Sequence, residues 1–313
     1  MATAKTIAVV GATGKQGGSL ARALQCDASG AFAVRALTRK PSSDRAQALA
    51  RAGAAVVQAD ADDPESLKRA FDGAYGAYCV TDFWEHGDPG RECRQGAAMA
   101  EAARSAGLQH VIWSTLEDTR PFVPLSDPRM PTLLGKYKVP HYDAKAEVDA
   151  EFRRLGVPTT FLLTSFYWEN FLGFHGMRLR PGDGDELILA MPMGNEKLPG
   201  IAIDDLGLCA LGIFNQTCSA GQTIGVAGDQ PTCAQMAASF TKALGRPVRY
   251  VDVDPAVYRT WDFPGAPELS NMLQFKRDFP DVFCGARSVE RSRQLNPRLQ
   301  TFEQWLERHR SEF

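Results

Sequence analysis

Residues 7–18 read IAVVGATGKQGG, four apolar residues running into Gly11, Gly14, Gly17 and Gly18 with Lys15 among them. The apolar run reads as a buried strand. Glycine has no Cβ, so it admits a positive φ and lets another group approach the backbone closely. Both properties are needed where a strand turns sharply into a helix whose N-terminus faces a phosphate. Gly11, Gly14 and Gly17 form G-x-x-G-x-x-G between strand and helix. This is the context of a dinucleotide-binding turn, although the spacing differs from G-x-G-x-x-G. The bland alternative is a ligand-free turn, in which four glycines would each cost conformational entropy to no purpose. Thr13, Lys15 and Gln16 lie inside the turn and join the glycines as expected cofactor contacts.

Outward from this stretch, short apolar runs alternate with helical ones. Strands are expected at 6–10, 32–38, 54–58, 74–80, 110–115 and 159–164, with helices at 15–25, 44–52, 64–72, about 90–106 and 141–155. Such alternation implies right-handed crossovers and a parallel sheet. Asp63 before Pro64 reads as a helix cap. Between Leu116 and Pro140 the chain is long and proline-rich, the mark of a lid, a binding loop or disorder. After Phe166 the rhythm loosens: a strand LILAMP, helices at about 204–215 and 232–244, a strand VRYVDV, and a final amphipathic helix in TFEQWLERH. The expected fold is α/β: a doubly wound parallel Rossmann sheet over 1–166 and a smaller α/β substrate or partner domain over 167–313. Some segments of the latter are free to return to the first.

Composition narrows the class. The 313 residues are 44% hydrophobic and 23% charged with net charge −2, which gives no electrostatic case for a nucleic-acid partner. No apolar run reaches the ~18–20 residues of a membrane span. The seven cysteines (26, 79, 93, 209, 218, 233, 284) are scattered without a C-x-x-C pair, so neither zinc nor a disulfide framework is indicated. A cytoplasmic location is the default expectation.

The second strand indicates which dinucleotide. An NAD site places Asp or Glu about 20 residues on, to hold the ribose 2′-hydroxyl. Here the strand ends ALTRKPSSD, with Arg39 and Lys40 in that place. An arginine there can bond a 2′-phosphate, and Lys15 adds charge. NADP(H) is therefore the expected cofactor; a solvated strand end is the alternative.

With these residues in hand, the sequence resembles the NmrA-like family of atypical short-chain dehydrogenases, especially the branch containing a human NADPH sensor. The resemblance runs through VVGATGKQGGSLARAL, LTRKP, VVQADADD, VTDFWE, HYDAKAEVDAEFRRLGVPTTFL, FYWENF, FPGAPELSNMLQF and NPRLQTFEQWLE. It implies an NADP(H)-binding Rossmann domain with a smaller domain closing a cleft over the nicotinamide. By position it also implies Asp62 near the adenine, and Thr81 and Phe83, beside Trp84, along the groove. Lys145 would lie on the nicotinamide ribose, with Tyr167 and Asn170 at the nicotinamide end. Core packing remains open for the aromatic residues, and capping for Asp62 and Asp63. Members include reductases, regulators and redox sensors, so the resemblance bears on the cofactor more than on the activity.

Ordinary short-chain dehydrogenases carry Tyr-x-x-x-Lys, whose spacing puts both side chains on one helix face. Here the run is His141-Tyr-Asp-Ala-Lys145, with histidine in the tyrosine position and Tyr142 one residue late. A neutral imidazole can still polarise a carbonyl; a packing or capping role for His141 is equally open. Ser114 or Thr115 could hydrogen-bond a substrate. Two functions follow. One is an NADPH-dependent reductase of a small carbonyl or imine, with Lys145 on the ribose and His141, Tyr142 or water giving the proton. The other is a silent NADP(H) sensor in which binding orders the 116–140 loop for a regulatory protein partner. A homodimer is compatible with either.

Overall fold

The computed structural model describes residues 4–173, 176–216 and 219–313; Cys218 lies outside them. Ile7, Ala8 and Val9 in β1 (Lys5–Val9) are fully buried, because helices cover both faces of the sheet to which they belong. The first half alternates as its apolar periodicity dictates. After β1 come α1 (Lys15–Gln25), β2 (Phe32–Thr38), α2 (Asp44–Arg51), β3 (Ala55–Gln58) and α3 (Pro64–Phe71). They are followed by β4 (Gly76–Cys79), α4 (Pro89–Ser105), β5 (His110–Thr115), α5 (Pro140–Arg154) and β6 (Thr159–Leu163). Asp63 caps α3, its carboxylate accepting from the Glu65 and Ser66 amides at 3.2 Å.

The second half adds β7 (Phe166–Tyr167), α6 (Asn170–Gly173), β8 (Arg180–Pro181), β9 (Leu187–Met191), β10 (Gly200–Ile201) and α7 (Ile203–Phe214). Then come β11 (Thr223–Gly225), α8 (Cys233–Leu244), β12 (Val248–Asp252), α9 (Pro255–Tyr258), α10 (Ala266–Asp278), α11 (Pro280–Gly285), α12 (Val289–Leu295) and α13 (Phe302–His309). The main sheet runs β11-β6-β5-β4-β1-β2-β3, all parallel. Strand order reverses between β1 and β4, so the crevice for a ligand lies beyond their carboxyl ends.

Two segments of the second half return to this sheet. β11 extends it beside β6, and α7 packs on α1 so closely that a Cβ at Gly207 would overlap the Ser19 hydroxyl. Three residues, TIG, are too short to show a strand period, and the sequence gives no sign of β11. The rest forms a smaller unit with the sheet β12-β9-β8 and an aromatic core of Trp168, Phe171, Phe240, Phe302 and Trp305.

The long 116–140 connection is fastened at both ends by one buried carboxylate. Asp143 accepts from the Thr119 amide and hydroxyl with Oδ1, and from the Lys138 and Val139 amides with Oδ2. Lys138 Nζ ties its middle through the Met130 and Asp127 carbonyls, and Asn271 of α10 donates to the Pro131 and Lys138 carbonyls. Val123, Met130 and Val139 are buried. The disordered alternative for this loop is therefore corrected: its ends and middle are tied by hydrogen bonds, and Val123, Met130 and Val139 join a core, while Phe122, Leu125 and Leu134 stay exposed.

Candidate cofactor and active site

The glycines of the turn are not equivalent. Gly11 has φ +63°, where a side chain would be strained. Gly17 sits where α1 crosses the turn: a Cβ there would lie 2.5 Å from the Gly11 carbonyl oxygen and 2.6 Å from that of Val10. Gly14 is the N-cap of α1, with ordinary φ −90° and no side-chain cap. The first amides of α1 therefore have neither an intrahelical partner nor a side-chain cap, and they bear the positive end of the helix dipole. Gly17→Ala is expected to cost ~1–3 kcal/mol, because backbone atoms cannot yield to the methyl. Gly14→Ala, whose Cβ meets only the Gly11 oxygen at 3.2 Å, is expected to melt close to wild type. Thermal unfolding of both variants checks this.

Lys15, Arg39 and Lys40 are exposed around this turn, and Thr13 lies against Thr38 at 3.4 Å. Arg39 donates to Glu85, an ion pair that raises the guanidinium pKa and lowers that of the carboxylate. Asp62, expected near an adenine, is clamped by Arg91 (Nε to Oδ2, 3.0 Å) and Gln95 (3.1 Å), and the arginine bonds hold its pKa down. Gln16 Oε1 accepts from Tyr78 (2.7 Å) and Ser114 (2.8 Å). The Ser114 hydroxyl is thus tied to Gln16 inside the turn. Thr115 likewise donates to Asp149 at 2.7 Å.

Lys145 lies in a buried polar cluster. Its Nζ donates to the Thr81 hydroxyl (2.7 Å), the Thr81 carbonyl (3.2 Å) and Glu92 Oε1 (2.9 Å), while Thr81 donates to the same Glu92 oxygen. Glu92 has no exposed surface. Its other oxygen lacks a hydrogen bond and faces His86 Nε2, also without one, at 3.8 Å.

One turn before Lys145, His141 is held by the smaller unit. Glu268, on α10, accepts from the His141 amide at 2.7 Å and pairs with its Nδ1; both residues are buried. Nδ1–H on the carboxylate leaves Nε2 as the nitrogen available to a ligand. The ring lies beside Trp84 (centroids 5.1 Å), Phe83 (5.8 Å) and Tyr142 (4.7 Å). Trp84 in turn rests on the backbone of Gly265, where a Cβ would come within 2.7 Å of the indole. Burial pushes the Tyr142 hydroxyl pKa far up, and does the same to Tyr167 at the end of β7. Asn170 begins α6, a few residues further on.

The structure thus brings Lys145 to Thr81 and His141 to Phe83, and sets Arg39 and Lys40 beside the Gly11–Gly17 turn through the Thr13–Thr38 contact. Sequence reading missed Glu85, Glu92 and Glu268. None has a partner at a recognisable spacing, so no local signal marks them.

The profile described as the NmrA-like family matches residues 3–306. An NmrA-like family domain-containing protein of Dictyostelium discoideum is 29% identical, covering 97% of both chains. The NmrA-like family domain-containing oxidoreductase FrzB of Cladobotryum sp is 32% identical over 85% of this chain and 81% of its own. The crystal structure of NmrA, described as a negative transcriptional regulator, superposes with TM-score 0.80 at 26% identity, covering 97% of this chain and 95% of that one. Its complex with NADP gives 0.77 at 25%, covering 98% and 95%. The chain belongs to the NmrA-like family.

Proposed function

We propose that this protein binds NADP(H) across the crevice and is an NADPH-dependent reductase of a small carbonyl or imine compound. The observation that carries the reading is the His141–Glu268 pair, one helical turn from Lys145. The residues present fit the cofactor. The uncapped amides of α1 and the close-packed Gly11–Gly17 backbone would hold the pyrophosphate, and Arg39 with Lys40 the 2′-phosphate. The NADP complex of NmrA and the oxidoreductase relatives support this. A domain boundary near 166 belongs to the same reading, with β11 and α7 returning to the first domain.

When bound, NADPH supplies the hydride. Lys145 uses all three of its protons within the chain, and the 3.2 Å bond to the Thr81 carbonyl is the one a ribose hydroxyl would replace. His141, protonated at Nε2, would give that proton to the substrate oxygen or nitrogen. Nδ1–H stays on Glu268, which fixes the ring orientation as the acid of a triad does. Glu268 is in this account a positioning residue.

Arg39→Ala should lower NADPH affinity ~10–100-fold and NADH affinity little, since charge-assisted bonds carry ~1.5–3 kcal/mol. Glu85→Gln should act in the opposite direction, because the phosphate no longer competes with a carboxylate for Arg39. Calorimetric titration with both cofactors tests this; equal NADPH and NADH affinities in the wild type would remove Arg39 from the role.

A panel of carbonyls, quinones and cyclic imines with NADPH tests the activity. Cofactor binding without turnover on any member would favour the sensor reading. In that case the regulation would have to reach a partner by a route other than ordering the 116–140 loop, which is already fastened.

A further inference from the structure

Buried charges in proteins are paired, because an unpaired one loses its hydration without compensation. Lys276 on α10 breaks this rule. It is 2% exposed, and its Nζ makes no hydrogen bond or ion pair with any described residue. Three aromatic rings surround it instead: Phe283 at 4.7 Å, Phe166 at 5.7 Å and Tyr142 at 5.9 Å.

The carboxylate whose field reaches it is shared. Glu117, directly after β5, is taken by Arg287, which is fully buried. Arg287 also donates to the Thr164 carbonyl (2.8 Å) and the Phe283 carbonyl (3.0 Å). One carboxylate therefore faces two buried cations, leaving one positive charge over. This cluster lies beyond the carboxyl ends of β5 and β6, where open α/β sheets hold their ligands. Tyr142 lies between it and the proposed proton donor, its ring edge-on to the His141 ring and within cation–π range of the Lys276 ammonium. Glu268 and Lys276 are eight residues apart on α10, about two turns, so both meet the face occupied by α5.

We propose that Lys276 is the anion-binding group of the substrate cleft and that the ligand is a small carboxylic acid with an aromatic or cyclic body. The rings would enclose the body, and the carboxylate would supply the missing counter-charge. This rests on the reductase reading for the role of the ligand as substrate, but not for its binding. Burial, with Arg287 beside it, pushes the Lys276 pKa down to about 7. Besides Arg287, the titratable groups facing it are Glu117, Cys284 and Tyr142. Acid binding should accordingly weaken as pH rises through that value, because the amine loses the proton that attracts the carboxylate.

The test titrates NADP-loaded protein with benzoate against benzamide, and with phenylglyoxylate against its methyl ester. Wild type should bind each acid at least tenfold more tightly than its neutral counterpart, with the preference fading above pH ~7. Lys276→Met should abolish both the preference and its pH dependence. It should also melt higher without ligand, since an apolar side chain of similar length replaces an unpaired charge. Failure of either acid to bind, equal affinity for acid and neutral partner, or the same preference in Lys276→Met would overturn the proposal. Acid binding through Lys276 with no NADPH oxidation on any carbonyl would instead sink the reductase reading and leave the site. Turnover of neutral carbonyls without acid preference would do the reverse.

Discussion

Lys145→Ala is expected to destabilise the protein by ~3–5 kcal/mol, whatever it does to catalysis. The substitution strands Glu92, a carboxylate with no exposed surface whose Oε1 is bonded by Lys145 and Thr81. Breaking a buried pair from one side costs this much because the remaining charge keeps its desolvation and loses its partner. The double variant Lys145→Met with Glu92→Gln should recover most of the loss, since the charge is removed along with its counter-ion. Urea unfolding of wild type, Lys145→Met, Glu92→Gln and the double variant gives the coupling. Additive effects would mean that the two side chains do not form a unit. The consequence for function is direct: loss of activity in Lys145→Ala alone cannot be assigned to a ribose contact, whereas the refolded double variant can report it.

His141→Ala should slow hydride transfer ~10²–10⁴-fold in single turnover while NADPH affinity changes little, the usual scale for removing a general acid. Glu268→Gln keeps the shape and a hydrogen bond but removes the charge that fixes the ring. It should produce a smaller loss and a displaced pH profile. Glu268→Ala should cost more than Glu268→Gln, because the His141 amide also loses its acceptor. A His141→Ala variant that reduces substrate at the wild-type rate would take the proton from another source. Tyr142 or water would then be that source.

Most of the first half was legible because its signals are local. The strands at 32–38 and 110–115 and the helix at 15–25 have the bounds expected, since apolar period, glycine turns and the Asp63-Pro64 cap act within a few residues. The shift of function from one glycine to another was not legible. Gly17 and Gly14 look alike in the sequence, and only the crossing of α1 over the Val10 and Gly11 carbonyls makes Gly17 the crowded one. Nor was the partner of Ser114 legible: the fold lays Gln16, 98 residues away, beside its hydroxyl.

The sequence by itself determined the doubly wound architecture, the glycine-rich strand-to-helix turn and the positive strand end at Arg39 and Lys40. Each depends on residue type and spacing within one βα unit, where chain connectivity already sets the geometry. Only the tertiary structure decided which charges are paired. Arg39 meets Glu85 46 residues away, His141 meets Glu268 at 127, and Arg287 meets Glu117 at 170. Lys276 has only Glu117 near it, which Arg287 already engages. Such pairings are set by how helices pack across the sheet and between its two halves. The strength of an ion pair depends on separation in space and on burial, neither of which is written in the order of the residues.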